Sequence, residues 1–364
     1  MIKRKKTRIV SVGKVKIGAG YPVAIQSMAK TDTRDVDATV RQILSLEKAG
    51  CEIIRVAVKD ADAAAAIKKI INKINIPLVA DMHFDSKLAL KAIENGAAKI
   101  RINPGNMAKN GELDRVIDAA AEKHIPIRIG VNSGSFSKSI VDPDKIAGEM
   151  VKLCLKYIEY FERKKFRDLV VSLKASDVPT TIAAYEKMSA KTDLPLHLGI
   201  TAAGVPADGI VRSSVGIGAL LMKGIGDTIR VSLTGDPVEE VRAGKRILSA
   251  VGIRKFGPEV IACPTCGRCG VDLVAIADKL DNKIKDFLAG HDVPVNDTFI
   301  VAVMGCEVNG PGEARGADLG IAFGKNRGAI FSRGNIIRTV KASQAVDELF
   351  EMIVDNYRKK EKNI

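Results

Sequence analysis

The chain has 364 residues, 46% apolar and 27% charged, with no Trp and a formal net charge of +14 from 57 basic and 43 acidic side chains. That length exceeds one small core and suits a large barrel with a smaller second domain, and the composition excludes a long disordered chain. The longest apolar runs, such as 61–67 and 216–222, fall far short of the roughly 20 residues a membrane span needs.

The first segment, MIKRKKTRIVSVGKVKIG, is basic like the start of a signal peptide. Lys and Arg recur where its apolar stretch should follow, so no secretory signal is predicted and the expected location is cytoplasmic. The basic residues at 3–8 and 358–362 read as solvated tails. The surplus positive charge favours anionic partners such as phosphorylated small molecules or an acidic protein. With five Tyr, ten Phe and no basic run interleaved with aromatics, a nucleic-acid stacking platform is not expected.

From residue 23 to 235, short apolar β-rich runs alternate with helix-period segments. Strands are predicted at 23–27, 52–58, 77–81, 99–103, 126–131, 169–174, 195–201 and 227–233. Strand–helix alternation implies a parallel sheet, and eight repeats point to an α/β fold closed into a (β/α)8 TIM-like barrel. No GxGxxG follows the first strand, which argues against an open dinucleotide-binding sheet.

Polar residues gather at the C-terminal ends of these strands: Gln26 and Ser27, Arg55, Asp81 and His83, Arg101 and Asn103, Arg128 and Asn132, Lys174 and Asp177, His197 and Thr201, Arg230 and Ser232. In a barrel these ends converge on the face that builds active sites. A single strand Arg reads as a surface residue or half of an ion pair. Four strands carrying Arg at one level, with Lys174, suit a multiply charged phosphate ligand, because guanidinium forks bind phosphate oxygens bidentately.

The pattern changes near Arg254, so the barrel is assigned to 1–253 and a smaller α+β domain to 254–364. A strand leads into CPTCGRC, followed by a long helix, a strand, a Gly/Pro-rich loop GCEVNGPGEARGAD, two short strands and a closing helix. Cys263 and Cys266 form a CxxC and Cys306 lies forty residues on. A CxxC turn directs two thiolates at one metal, and a distant third closes the site on folding. A structural zinc site wants four closed ligands; no second CxxC or His pair follows, so the pattern favours iron–sulfur over zinc. Cys51 and Cys154 sit alone in apolar patterns and read as core.

CPTCGR, then VMGC with NGPGEA, is similar to the signature of the 4-hydroxy-3-methylbut-2-enyl diphosphate synthase family of isoprenoid biosynthesis. The resemblance runs along nearly the whole chain, through QSMAKTDTRDVDATV, VADMHFD, RINPGN, RIGVNSGS, SLKASDV, LHLGIT and GIGDTIRVSL in family order. It implies a 4Fe-4S cluster on Cys263, Cys266, Cys306 and Glu313. On spacing alone, Glu313 reads as a loop carboxylate or a helix-start residue. It implies an oxidoreductase that opens and dehydrates 2-C-methyl-D-erythritol 2,4-cyclodiphosphate, with two electrons from flavodoxin or ferredoxin. By the same resemblance Arg55, Arg101, Arg128, Asn132, Lys174, Arg230 and Ser232 bind substrate, Asp81 and His83 orient it or handle protons, and the protein is a homodimer.

Three positions depart from the family. Where its members read GITEAG this chain reads GITAAG, so Ala202 replaces a glutamate of acid–base chemistry. This motivates the alternative of a catalytically impaired paralogue that binds a phosphorylated ligand and senses it through the cluster. Cys269 adds a third thiol, making CxxCxxC, and reads as a bystander. Phe323 also stands where a small residue is usual. A pterin-handling barrel is disfavoured by the late cysteines, and a zinc-bearing nucleic-acid module is supported by charge alone.

Overall fold

The computed structural model describes residues 2–82, 85–103, 110–135, 142–289, 298–306 and 314–361. They form two compact units, Met1–Arg254 and Lys255–Ile364.

The first unit begins with an antiparallel hairpin, β1 (Val10–Val12) and β2 (Val15–Ile17). Val10, Val12 and Ile17 are fully buried against Ala24, Ile53, Val79 and Val170, the inward residues near the starts of four barrel strands. The hairpin thus seals the barrel floor. The reading of 3–8 as a solvated tail is corrected here. Arg4 reaches buried Asp227 at 3.0 Å, Thr7 Oγ1 donates to the same carboxylate at 2.9 Å, and Lys5 Nζ donates to Thr192 O.

Eight parallel strands follow: β3 (Ala24–Met28), β4 (Ile53–Ala57), β5 (Leu78–Asp81), β6 (Lys99–Ile102), β7 (Ile127–Asn132), β8 (Leu169–Lys174), β9 (His197–Leu198) and β10 (Thr228–Ile229). Their order is β8-β7-β6-β5-β4-β3-β10-β9, and a bridge between Val171 and Leu196 joins the two ends, closing the barrel. The last two strands are far shorter than predicted. At Gly199, just past β9, a Cβ would lie 2.5 Å from Arg230 O and 2.6 Å from Lys174 Nζ. Glycine there lets a buried cation and a neighbouring backbone approach.

The connecting helices are α1 (Val36–Ala49), α2 (Ala61–Ile71), α3 (Ser86–Glu94), α4 (Asn110–Glu122), α5 (Pro143–Arg163), α6 (Val178–Lys191), α7 (Pro206–Met222) and α8 (Pro237–Ala250). Asp35, Asp60, Asp85, Asp142, Asp177 and Asp236 cap α1, α2, α3, α5, α6 and α8 by accepting a first-turn N–H. Each such cap contributes about 1 kcal/mol. This gives Asp177 a structural role: its carboxylate accepts from Thr180 N at 2.7 Å.

In the second unit β11 (Gly257–Ala262), β12 (Thr298–Met304) and β13 (Leu319–Phe323) run parallel, and β14 (Arg327–Ser332) and β15 (Asn335–Lys341) add antiparallel neighbours. Helices α9 (Leu273–Ala289) and α10 (Ala345–Glu361) cover one face through Leu280, Ile284, Leu349 and Ile353 against Val301, Val303 and Ile321. Phe323 is part of this core, which is what its size serves here. The opposite face packs Ala302, Met304, Ala322 and Phe331 against Ala314 and Ala317.

Candidate active site in the barrel and thiol site in the second unit

The barrel strands alternate inward and outward, and their inward positions carry charge. Arg55 on β4, Asp81 ending β5, Arg101 on β6, Arg128 on β7 and Lys174 ending β8 converge, with Arg230 just past β10. Asp81 accepts from Arg101 Nη1 at 2.9 Å and lies 3.6 Å from Arg55 Nε. One carboxylate therefore orients two guanidinium groups. Glu240, buried on α8, lies 3.7 Å from Arg230 and 3.1 Å from Lys30, and accepts from Leu233 N and Ser27 Oγ. Ser27 thus serves the helix layer. Asn132 pairs in register with Lys174 at the ends of β7 and β8, and both Asn132 and Ser232 are half-buried. His83 lies outside the described residues.

Three further groups belong to this cluster. His197 on β9 is fully buried; Lys174 Nζ is 3.3 Å from its Nε2, and its Nδ1 is 2.8 Å from Thr228 Oγ1. Lys99, at the start of β6, is fully buried, and Gln26 on β3 is 1% exposed. Sequence reasoning placed Gln26 and His197 among strand-end polar residues without a role, and passed over Lys99. Its signal was the spacing Lys99-x-Arg101 within a strand, which sets both side chains on one face.

Among the described residues the interior holds six cations, Arg55, Lys99, Arg101, Arg128, Lys174 and Arg230, against Asp81 and Glu240. Burial pushes the Lys174 ammonium well below its usual range, helped by Arg230 and Arg128. Burial likewise pulls Arg128 down, with Arg55 and Arg101 adding repulsion. His197 is driven well below the ordinary histidine value by burial and then by Arg128 and Lys174, so its imidazole is neutral. Such unbalanced buried cations raise a strong positive potential and select an anionic ligand.

In the second unit, β11 and β12 are parallel neighbours, Ala262 level with Val303, so Cys263 and Gly305 leave adjacent strand ends. Gly305 N donates to Cys263 Sγ at 3.3 Å. Cys266 is exposed; hydrogen bonds from Arg268 hold its thiol below the usual value, while Cys306 pushes the other way, so these two thiols sense each other. Cys269 Sγ donates to Val271 O at 3.2 Å and sits where a Cβ on Gly305 would be, 2.5 Å from that position. Glu313 lies outside the described residues. Among the described residues, no three His, Cys, Asp or Glu side chains are grouped closely enough to hold a metal ion. The donors at these strand ends are soft thiols, one of them favouring thiolate, which is the chemistry that binds iron–sulfur clusters.

Known proteins match along the whole chain. The GcpE TIM-barrel domain model matches residues 7–245, and the GcpE protein C-terminal domain model matches 259–355. The chain is 52% identical to a 4-hydroxy-3-methylbut-2-en-1-yl diphosphate synthase (flavodoxin) of Clostridium perfringens, covering 96% of this chain and 99% of that one. Its identity to the protein of that name from Caldanaerobacter subterraneus is also 52%, with 97% and 98% covered, and to that from Geobacillus thermodenitrificans 50%, with 100% and 96% covered. Among solved structures, a dihydropteroate synthase from Stenotrophomonas maltophilia superposes with a TM-score of 0.53 at 14% identity, over 68% of this chain and 99% of that one. That likeness speaks to the barrel fold alone. No helix among the described residues is long and apolar enough to cross a membrane.

Proposed function

The chain belongs to the GcpE family of 4-hydroxy-3-methylbut-2-en-1-yl diphosphate synthases, and we propose that it binds its diphosphate at the cation-lined mouth of the barrel. It is an oxidoreductase of isoprenoid biosynthesis. The reaction is the reductive opening and dehydration of 2-C-methyl-D-erythritol 2,4-cyclodiphosphate to 4-hydroxy-3-methylbut-2-enyl diphosphate. The observation that carries the assignment of the site is the surplus of buried cations over carboxylates at the strand ends.

In this reading Arg55, Arg101, Arg128, Lys174 and Arg230 hold the phosphate oxygens, with Asn132 and Ser232 as neutral donors. Asp81 keeps Arg55 and Arg101 aimed before substrate arrives, and His197 does the same for Lys174. Pre-aimed donors stabilise charge without reorganising at the moment of reaction. His83, with Asp81, orients the substrate or moves a proton.

A 4Fe-4S cluster would be held by Cys263, Cys266, Cys306 and Glu313; the thiols at neighbouring strand ends and the lowered Cys266 value support that donor set. When bound, the cluster supplies the electrons for the reduction, delivered by a flavodoxin as in the relatives' names, or by a ferredoxin. The six free cysteines suit a cytoplasmic location. A homodimer completes the reading.

The alternative of an impaired, ligand-sensing paralogue rests on Ala202, and relatives at 50–52% identity do not favour it. Ala202 adopts a φ of +50° in an exposed turn. A non-glycine residue there costs on the order of 1 kcal/mol, and Ala202→Glu adds no further backbone strain. The test is an anaerobic assay with the cyclodiphosphate and dithionite on the iron-loaded protein beside Ala202→Glu. The parent chain is expected to turn over, and the variant to be faster by up to about 10²-fold. Iron-loaded protein that is inactive in both forms overturns the reading.

A further inference from the structure

Strand β6 places two cations on one inward face, and they are treated differently. Arg101 has the Asp81 carboxylate at 2.9 Å. Among the described residues Lys99, two residues earlier and 0% exposed, has the neutral Gln26 Oε1 as its side-chain partner, at 3.5 Å. Arg128, 1% exposed, leans on the same oxygen, also at 3.5 Å. Both distances are at the outer limit of a hydrogen bond. Arg128 Nε and Gln26 Nε2 are buried with no partner among the described residues.

A buried Lys and a buried Arg sharing one amide oxygen is a costly arrangement, since buried charges are ordinarily paired. A carboxylate at position 26 would relieve it with almost no change of shape. It would also cancel charge beneath the mouth. Burial, then Arg128 and Arg55, push the Lys99 ammonium well below its usual range, and an anionic ligand bound nearby favours its charged form.

We propose that Lys99 and Gln26 form an inner tier of the anion site: Lys99 is a cation left without a carboxylate so that its charge acts on the ligand, and Gln26 keeps it so. Arg128 links the two tiers. The consequence is charge selectivity, favouring a diphosphate over a monophosphate. Lys99 is a positioning and selectivity residue, acting through the field rather than by contact. The inference rests on the reading of the barrel mouth as a phosphate site.

The test uses the full chain with inorganic pyrophosphate and inorganic phosphate as probes, read by titration calorimetry and thermal melting. Lys99→Met removes the cation, and Gln26→Glu neutralises it without removing it. Each is expected to weaken pyrophosphate binding by at least about tenfold, the size expected of one unit charge about 12 Å away at an effective dielectric of about 20, and to narrow the preference over phosphate. Each is also expected to raise the melting temperature of the ligand-free protein. A purely structural role predicts the reverse: a lower melting temperature with the preference intact. If Lys99→Met does not fold, the nearly isosteric Gln26→Glu decides alone. Unchanged pyrophosphate affinity in Gln26→Glu overturns the inner tier. If the parent chain binds no pyrophosphate and Arg230→Met changes nothing, the phosphate reading of the mouth itself fails.

Discussion

His197 shows how one residue couples the site to stability. Its ring is closed in by Arg128, Lys174, Lys99 and Arg55, and burial with these cations holds it neutral well below its ordinary 6.5. The unfolded chain takes up a proton near 6.5 and the native state does not. The contribution of His197 to stability is therefore complete above about pH 6.5 and is lost as the pH falls below it. His197→Gln is expected to make the acid limb of the melting-temperature profile shallower by up to one proton between pH 6.5 and the acid transition. An unchanged slope would mean that His197 is protonated in the native state. The neutral ring also suits Lys174, since an imidazolium 3.3 Å from that ammonium would repel it.

At the scale of elements, the loop between β11 and α9 gives its three thiols different surroundings. Cys269 N donates to Cys266 O, and this turn carries the third thiol back toward the sheet. There its Sγ is spent on Val271 O and packs against the apolar core of the second unit. Cys263 packs against the same core but its Sγ accepts a backbone N–H, and Cys266 is exposed beside a guanidinium. Cys269→Ser is thus expected to keep full iron and sulfide content and the visible absorption after anaerobic reconstitution. Cys263→Ser, Cys266→Ser and Cys306→Ser should each lose them. Iron loss in Cys269→Ser would make it a ligand in place of Glu313. The same contrast shows what sequence could convey. Strands such as β8 were legible because both faces are buried and the run is mostly apolar. The β1–β2 hairpin was not, because its outward positions, Ser11 and Lys16, sit among flanking basic residues and its three-residue strands are too short for a pattern. The ends of β9 and β10 were overrun because the apolar alternation continues past the point where Gly199 ends the ladder. The Arg positions were legible as polar breaks in apolar strands. Lys99 was not, because a Lys at a strand's first residue ordinarily reaches solvent, and only barrel closure buries it.

The whole molecule carries a net charge of +14, and the barrel interior explains little of it. Six interior cations against two carboxylates leave a surplus of four of those fourteen charges. Most of the positive charge is therefore elsewhere on the molecule, where solvent and an approaching partner feel it. These two populations respond differently to salt. Between about 0.1 M and about 1 M the screening length falls from about 10 Å to about 3 Å, which erases surface steering but hardly touches buried charges. With an acidic flavodoxin as donor, kcat/KM for the flavodoxin is expected to fall by about tenfold or more over that range, since steered association is steeply ionic-strength dependent. The KM for the cyclodiphosphate should move far less, because its cations are already desolvated. Steady-state kinetics with each substrate varied in turn separates the two. A flavodoxin rate that is flat in salt would mean that the surface charge does not guide the electron carrier. A cyclodiphosphate KM that climbs as steeply as the flavodoxin term would place the phosphate-binding cations at the surface instead of within the barrel.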